Sequence, residues 1–170
     1  MPAGLKATSS TVTIGFTASE PAANTFGQSQ VDLNLSPLDR EVFVVQAIDL
    51  TLGPCDAITG VNTAMNGSIT TTRQTAVQTL ADSNCLAIAL NQIRAAGFAD
   101  GGVAFSQTAG ESPNTLLEYV GIIATNDFFV QVQGANNAGL HDMSGKIYGY
   151  RATASADVFA ALVQSEVLSA

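Results

Sequence analysis

The chain has 170 residues, the length of one domain that can bury a core without disulfides or metals. Charged residues make up only 12 %, about half the usual share, and fourteen Asp and Glu against six Lys and Arg give a net charge of −8. So acidic a chain argues against sequence-independent binding of nucleic acid. One His and two Cys leave little material for a zinc site or a His-based catalytic centre.

The N-terminal residues are small and polar, and they contain no apolar segment typical of an export signal. We predict that residues 1–10 form a flexible or partner-bound arm and that residues 11–170 form one domain, because no repeat or shift in composition divides them. Without an export signal we expect synthesis in the cytoplasm. Cys55 and Cys85 are then predicted as small buried hydrophobic residues rather than a disulfide.

Alternation of polar and apolar residues predicts short strands along most of the chain, separated by turns rich in Gly, Pro and Asn. The predicted strands cover residues 11–16, 31–35, 41–52, 68–74, 103–105, 116–124, 128–133 and 146–152. The strand over 41–52 is the longest, and we predict a single alternation throughout it. Its first residues are apolar on both faces, which is typical of a central strand covered on both sides.

Two segments instead have the spacing of helices. Leu86, Leu90 and Ile93 recur at helical intervals after a polar start, which predicts a helix over about 82–96. A second helix is predicted over 155–168, with an apolar stripe along one side. The stripe consists of Val158, Phe159, Leu162, Val163 and Val167, and the residues opposite are Gln164, Ser165 and Glu166.

No group of residues matches a catalytic or metal-binding pattern. His141 and Asp142 are predicted as ordinary loop residues, because no nucleophile signature accompanies them. We expect the charged residues 39–41 to form a local ion pair that fixes a turn, and Asp127 to act as a turn former. The sequence therefore predicts no catalytic residue, no cofactor and no metal ligand, and a protein that is not an enzyme.

Uncharged polar residues take the place that Lys and Glu usually hold on a protein surface. Thr, Ser, Asn and Gln recur throughout, whereas an isolated soluble domain usually carries more charge. The cores of protein interfaces are depleted in charged residues, because burying an unpaired charge is costly. This composition favours a subunit whose sides are covered by neighbouring copies.

Residues 122–134 and 145–152, together with 36–44, resemble strands of the small jelly-roll coat proteins of viruses. The resemblance implies a mainly β fold, a single jelly-roll sandwich of about eight antiparallel strands with one or two short helices. It also implies self-assembly into an icosahedral shell, with the N-terminal arm and the C-terminal helix reaching neighbouring subunits. Such coats often bind the genome through a basic arm, but here the first ten residues hold only Lys6.

We therefore predict a viral major capsid subunit located in the virion. Its partners would be its own copies and also a second capsid protein or an inner membrane, and direct nucleic-acid binding is not expected. The predicted contacts between subunits are Leu5, Val12, Phe159, Leu162 and Val163. Packing of the helix stripe on the domain's own core remains an alternative. The alternative function is a ligand- or carbohydrate-binding module of a phage tail or fibre, although the chain has no Trp for stacking on sugars.

Overall fold

Ten strands in two sheets and one C-terminal helix make up the computed structural model, which describes residues 2–97, 105–110 and 117–170, the second range by its backbone alone. In chain order the elements are β1 (Leu5–Ala7), β2 (Val12–Ser19), β3 (Gly27–Asp32), β4 (Glu41–Leu52), β5 (Thr63–Thr70), β6 (Cys85–Arg94), β7 (Phe105–Gly110), β8 (Gly121–Ile123), β9 (Asp127–Ala135), β10 (Asp142–Ala154) and α1 (Ala156–Leu168).

The strand order is that of a jelly roll. One sheet, called sheet A here, has the order β2-β10-β4-β8, with β1 beside the end of β10; sheet B has the order β3-β9-β5-β6-β7. The pairs β2–β10, β3–β9, β4–β8 and β5–β6 are nested and antiparallel, as in an eight-stranded jelly roll. The predicted mainly β sandwich is therefore confirmed, and β1 and β7 are additions to its eight strands.

The main hydrophobic core lies between the two sheets. Its largest fully buried side chains include Phe43, Met65, Phe128 and Ile147. The rings of Phe16 and Phe128 meet edge to face, with centroids 5.6 Å apart and planes at 82°. These contacts join β2, β4, β5, β9 and β10 into one unit, and they fix the position of every surface described below.

Strand β4 changes its inward face at a bulge. Phe43 and Val45 point into the core between the sheets, but beyond Gln46 it is Ile48 that does so. The pairing with β10 shifts register here and leaves Gln46 as an extra residue. The prediction of a single alternation along this strand is therefore wrong after Gln46, because one inserted residue reverses which side chains point inward.

Helix α1 covers the outer face of sheet A at one end. Val42 and Val44 point outward from the sandwich, yet both are fully buried. The predicted central strand with cover on both sides is thus confirmed for the first half of β4. The predicted C-terminal helix is also confirmed, beginning one residue after Ser155.

The segment predicted as a helix over 82–96 is largely the strand β6. Ala87 and Ala89 face the core between the sheets, whereas Ile88 and Leu90 lie on the alternating positions. The segment has high helix propensity, but pairing with β5 on one side and β7 on the other satisfies its backbone hydrogen bonds as a strand. The helix prediction was wrong because tertiary pairing overrides local propensity.

The first ten residues were predicted as a flexible arm, but much of this segment lies against β10. Residues 5–7 form β1, and the backbone N–H groups of Thr8 and Ser9 donate to the carbonyl of Arg151. Leu5 is only 8 % exposed and belongs to the hydrophobic cluster beneath α1. This buried side chain is the physical reason that the segment is held in place.

Most other predicted strands correspond to observed ones, with shifted ends. The strand predicted over 68–74 lies at 63–70, and the one predicted over 31–35 lies at 27–32. Leu33 and Leu35 are buried without being in a strand, which explains why their alternation resembled one. Residues 103, 104 and 116 of two further predicted strands lie outside the described residues.

Candidate assembly surfaces

Strand β2 is an edge of sheet A, and in the described part of the chain it pairs with β10 alone. The N–H of Glu20 donates to the carbonyl of His141 at 3.0 Å, one position beyond the end of this ladder. Because hydrogen-bonded positions alternate in antiparallel pairs, the even-numbered residues of β2 bond to β10. The N–H and C=O groups of Thr13, Gly15 and Thr17 therefore point to the open edge.

The open edge of β2 carries no charge. No charged residue and no proline occurs between Lys6 and Glu20, and no register shift interrupts the pairing of β2 with β10. A Cβ atom at Gly15 would meet nothing within 4 Å, so the outer face of the sheet is also open beside the middle of the strand. Natural proteins usually blunt such an edge with charges, prolines or bulges, since it can otherwise pair with another chain. This edge lacks all three.

The outer face of sheet B is covered by the segment 71–84 through hydrogen bonds between uncharged groups. The Ser68 hydroxyl donates to Oε1 of Gln131 at 2.7 Å, and Nε2 of Gln131 donates to the Thr70 hydroxyl at 2.6 Å and to Oε1 of Gln28 at 3.1 Å. The covering segment contributes the N–H of Gln78, which donates to the Ser68 hydroxyl. Gln131 is completely buried in this network.

Beside this network lies a cavity of about 470 Å³ on the same face. Residues 76–79 form one wall, and the strands β5, β6 and β9 form the floor. Ile88 and Leu90 provide apolar surface, and the amides of Asn66 and Gln133 provide hydrogen-bonding groups. No charged side chain lines the cavity among the residues described, so its chemistry suits a neutral molecule.

Three loops at one end of the sandwich are joined by hydrogen bonds. The N–H of Asn137 donates to Oδ1 of Asn24 at 2.8 Å, and the N–H of Asp56 donates to Oδ1 of Asn137 at 3.0 Å. The carboxylate of Asp56 accepts the N–H groups of Ala138 and Gly139, each at 2.9 Å. These bonds connect the loops after β2, β4 and β9, and give that end a fixed shape.

His141 belongs to this fixed end. Its Nε2 lies 3.3 Å from Oδ1 of Asp56, and its backbone N–H donates to the buried carboxylate of Glu20 at 3.0 Å. Hydrogen bonds from Gly139 and other loop groups, together with His141, lower the pKa of Asp56. Both carboxylates are occupied by backbone amides. His141 thus lies in a loop, as predicted, and hydrogen bonds and the contact with Asp56 hold that loop in place.

The five residues predicted to contact other subunits all pack within their own chain. Leu5, Phe159, Leu162 and Val163 belong to or line the hydrophobic cluster beneath α1, and Val12 packs against the core between the sheets. The structure thus brings the four residues other than Val12 together. This agrees with the alternative prediction, in which the helix stripe packs on its own domain. Their contact with a neighbouring subunit stays a prediction, and this packing gives it no support.

Glu166 was predicted on the exposed side of the helix, but it is buried. Its carboxylate accepts the N–H groups of Ala124 at 2.8 Å and Thr125 at 3.0 Å, which ties α1 to the turn between β8 and β9. Burial raises the pKa of this carboxyl above its usual range. Its position was visible in the sequence, since Glu166 follows Leu162 by four residues and Val163 by three and so shares their face.

The charged residues 39–41 form no ion pair among themselves. Oε2 of Glu41 lies 3.3 Å from Nη1 of Arg151 and also accepts the N–H of Ser36 at 3.0 Å. The predicted local ion pair is therefore wrong, because the partner of Glu41 comes from β10, far along the sequence. Asp127, predicted as a turn former, begins β9 and accepts a hydrogen bond from the amide of Gln30 on β3.

Both cysteines are free, Cys55 buried and Cys85 half-buried. Burial raises the pKa of Cys85 to about 11 and also raises that of Cys55, so neither thiol readily forms a thiolate. In the described ranges, no three His, Cys, Asp or Glu side chains are placed to hold a metal ion. Over the same ranges, no helix is long and apolar enough to cross a bilayer.

Comparison with protein-family models gives no match for this sequence, and comparison with curated protein sequences gives none either. A fold alone does not define a function, because one scaffold carries many activities. The functional argument therefore depends on the surfaces described above.

Proposed function

We propose that this chain is a viral coat subunit, a major capsid protein whose function is repeated self-association into a closed shell. The observation that carries the proposal is the open, uncharged edge of β2 on a jelly roll with a net charge of −8. Viral capsid proteins are among the classes that use this fold. An unprotected edge is a liability for a protein that works alone, and a contact for one that works in an assembly.

Charge determines where copies of this protein can meet. Two subunits that each carry −8 repel one another, so their contacts must lie on neutral surface or be screened by ions. The edge of β2 provides such a neutral surface. In a closed shell each subunit makes several contacts, and their combined avidity means that no single contact has to be tight.

The proposed partners are further copies of the chain in the capsid of a virion, with a second capsid protein or an inner membrane lining the shell. Direct contact with the genome is not part of the proposal. The first ten residues offer only Lys6, and residues 5–7 are in the sheet rather than free to reach a nucleic acid.

The proposal is tested by measuring the size of the purified protein. Light scattering after size exclusion and negative-stain electron microscopy would be carried out at increasing concentrations of NaCl and of Ca²⁺. We expect particles of uniform size, favoured by salt because screening reduces the repulsion between subunits. A monodisperse monomer under every condition would contradict the proposal.

Removal of residues 1–10 is a poor test of assembly. Leu5 is buried beneath α1 and Leu5–Ala7 pairs with β10, so the deletion would remove part of the fold together with any contact. A loss of particles would then have two causes. Substitutions on the surface of β2 avoid this ambiguity, because its exposed side chains take no part in the core.

The cavity on sheet B favours one second candidate, a module that binds a neutral ligand. Asn66 and Gln133 offer amide groups beside the apolar side chain of Leu90, a combination that suits an uncharged polar molecule such as a sugar. Titration of neutral oligosaccharides, followed by calorimetry, tests this candidate. Binding that is lost in Asn66→Ala and kept in the exposed-surface variant Thr51→Ala would support it, and no binding of any sugar would contradict it.

A further inference from the structure

We infer that the open edge of β2 pairs with the same edge of a second copy, antiparallel and about a two-fold axis at Gly15. The inference rests on the proposed coat function and names one contact of that assembly. Such a contact joins two five-stranded sheets into one continuous sheet through backbone hydrogen bonds, which is the ordinary way in which an exposed edge recruits a strand.

The register follows from which backbone groups are free. The odd-numbered residues of β2 point their N–H and C=O groups outward, so an odd residue of one copy must lie opposite an odd residue of the other. A two-fold axis at Gly15 places Thr13 opposite Thr17 of the second copy, and it pairs residues 12–18, all of β2 except Ser19. Cross-strand pairs of threonines are favourable. At the centre, where two identical residues meet, Gly15 has open space and presents no side chain.

A second copy fits this edge better than an unrelated strand because of its charge. The partner must bring a neutral strand to a protein with a net charge of −8, and β2 of another copy is neutral along its whole length. Lys146 lies opposite Gly15 on β10, and Asp49 lies opposite Lys146 on β4, so this pair adds no net charge beside the axis. The contact is isologous, since each copy offers the same residues to the other.

The contact is weak when it acts alone. Pairing of two strands of eight residues spans only about 27 Å and buries less surface than the roughly 1,200 Å² of a stable complex. A free dimer is therefore a minor species in dilute solution. In a shell, where other contacts hold the copies together, the pairing becomes effectively intramolecular and is populated.

Cysteine cross-linking tests the register. In Gly15→Cys the two new thiols would lie opposite each other, with Cα atoms about 5.5 Å apart, which is within reach of a disulfide. The matched control is Thr51→Cys, exposed on the outer face of the same sheet but on β4. Mild oxidation of concentrated or assembled protein should give about tenfold more cross-linked dimer for Gly15→Cys than for the control. Wild-type protein, whose thiols have raised pKa values, gives the background.

A second pair of variants guards against an effect of Gly15→Cys on folding. Thr13→Cys and Thr17→Cys should cross-link when mixed and much less when each is oxidised alone, because only the mixture places unlike positions opposite each other. Equal cross-linking of all variants, or a yield no higher than for Thr51→Cys, would overturn the proposed register.

Thr17→Lys separates this inference from the proposed function. We expect it to fold like the wild type and to lose particle formation, whereas Thr51→Lys, with the same added charge, keeps it. Normal particles from Thr17→Lys would overturn the edge pairing and leave the coat function in place. Cross-linked dimers of Gly15→Cys with no particles under any condition would overturn the coat function and leave the edge pairing in place.

Discussion

The outer faces of the two sheets are both covered, but by different chemistry. On sheet A, Val42 and Val44 are buried by the apolar side of α1. On sheet B, Ser68 and Gln131 are buried by the segment 71–84 through hydrogen bonds. The cover of sheet A depends on buried apolar area, whereas the cover of sheet B depends on matched hydrogen-bond donors and acceptors.

This difference determines how each cover responds to change. Apolar contacts are non-directional, so a smaller side chain loses buried area and leaves a cavity, but it leaves no polar group without a partner. A buried hydrogen-bond network is less tolerant, because removing one member leaves the polar groups of the others without a partner in a place that water does not reach. The cover of sheet B should therefore be the more sensitive of the two.

The largest effect is expected for Gln131→Ala. Loss of three hydrogen bonds and of a fully buried side chain should lower the free energy of unfolding by about 3 kcal/mol. The control is Gln133→Ala on the same strand, which removes a half-buried amide with one long bond and should cost less than about 1 kcal/mol. Urea unfolding measures both, and equal losses would contradict the comparison.

A smaller effect is expected beneath α1. Phe159 is only partly buried, so Phe159→Ala should lower the free energy of unfolding by about 2 kcal/mol, less than Gln131→Ala. Gln164→Ala on the exposed side of the same helix serves as the control and should change stability little. A loss at Phe159 that exceeds the loss at Gln131 would show that the apolar cover is the more sensitive one.

The smallest effect is a pH dependence at Glu166. This residue belongs to the apolar cover formed by α1, but its buried carboxylate is held by hydrogen bonds. Burial raises the pKa of this carboxyl above its ordinary value of 4.5, and the charge of Asp127 acts in the same direction. The folded protein then binds the proton more tightly than the unfolded chain. The contribution of Glu166 to the free energy of unfolding therefore increases as the pH falls through the folded pKa, and it levels off below 4.5.

Glu166→Gln cannot take up this proton. The stability of the wild type relative to Glu166→Gln should therefore improve as the pH is lowered from neutral, as measured by urea midpoints at each pH. A difference that stays constant or shrinks on acidification would contradict the raised pKa.

The sequence was informative wherever apolar residues report directly on burial. The alternation in β2, β4, β9 and β10 predicted strands, and the stripe of α1 predicted the helix, because most of the side chains that pack inward there are apolar. The stripe is wrong at one position, since Val167 is 60 % exposed. The burial of β4 on both faces was predicted from Val42 and Phe43, two apolar residues that point to opposite sides of the sheet. The jelly roll follows from such strands only with the resemblance to coat proteins, since alternation does not specify which strands pair.

The sequence was less informative where polar groups are buried or where pairing decides structure. The burial of Gln131 depends on partners distant in the chain, so it could not be assigned to the interior from the sequence. The spacing of Glu166 placed it on the inward face of the helix, but the carboxylate partners that make its burial possible are also distant. β6 was predicted as a helix because Leu86, Leu90 and Ile93 recur at helical spacing, and the pairing that makes it a strand is not visible in the sequence. The open edge of β2 depends on the order of the strands in the sheet. Alternation does not specify that order, so this edge could not be predicted from the sequence.

The bulge at Gln46 has a consequence for how this protein can vary. Phe43 and Val45 before it and Ile48 after it all reach the same core only because one residue is inserted between them. Gln46 is exposed, so nearly any amino acid should be accepted there. Deletion of that single position would instead invert one half of the strand and turn buried side chains towards solvent. Evolution at position 46 is therefore free in residue type, whereas the length of the strand is strictly constrained.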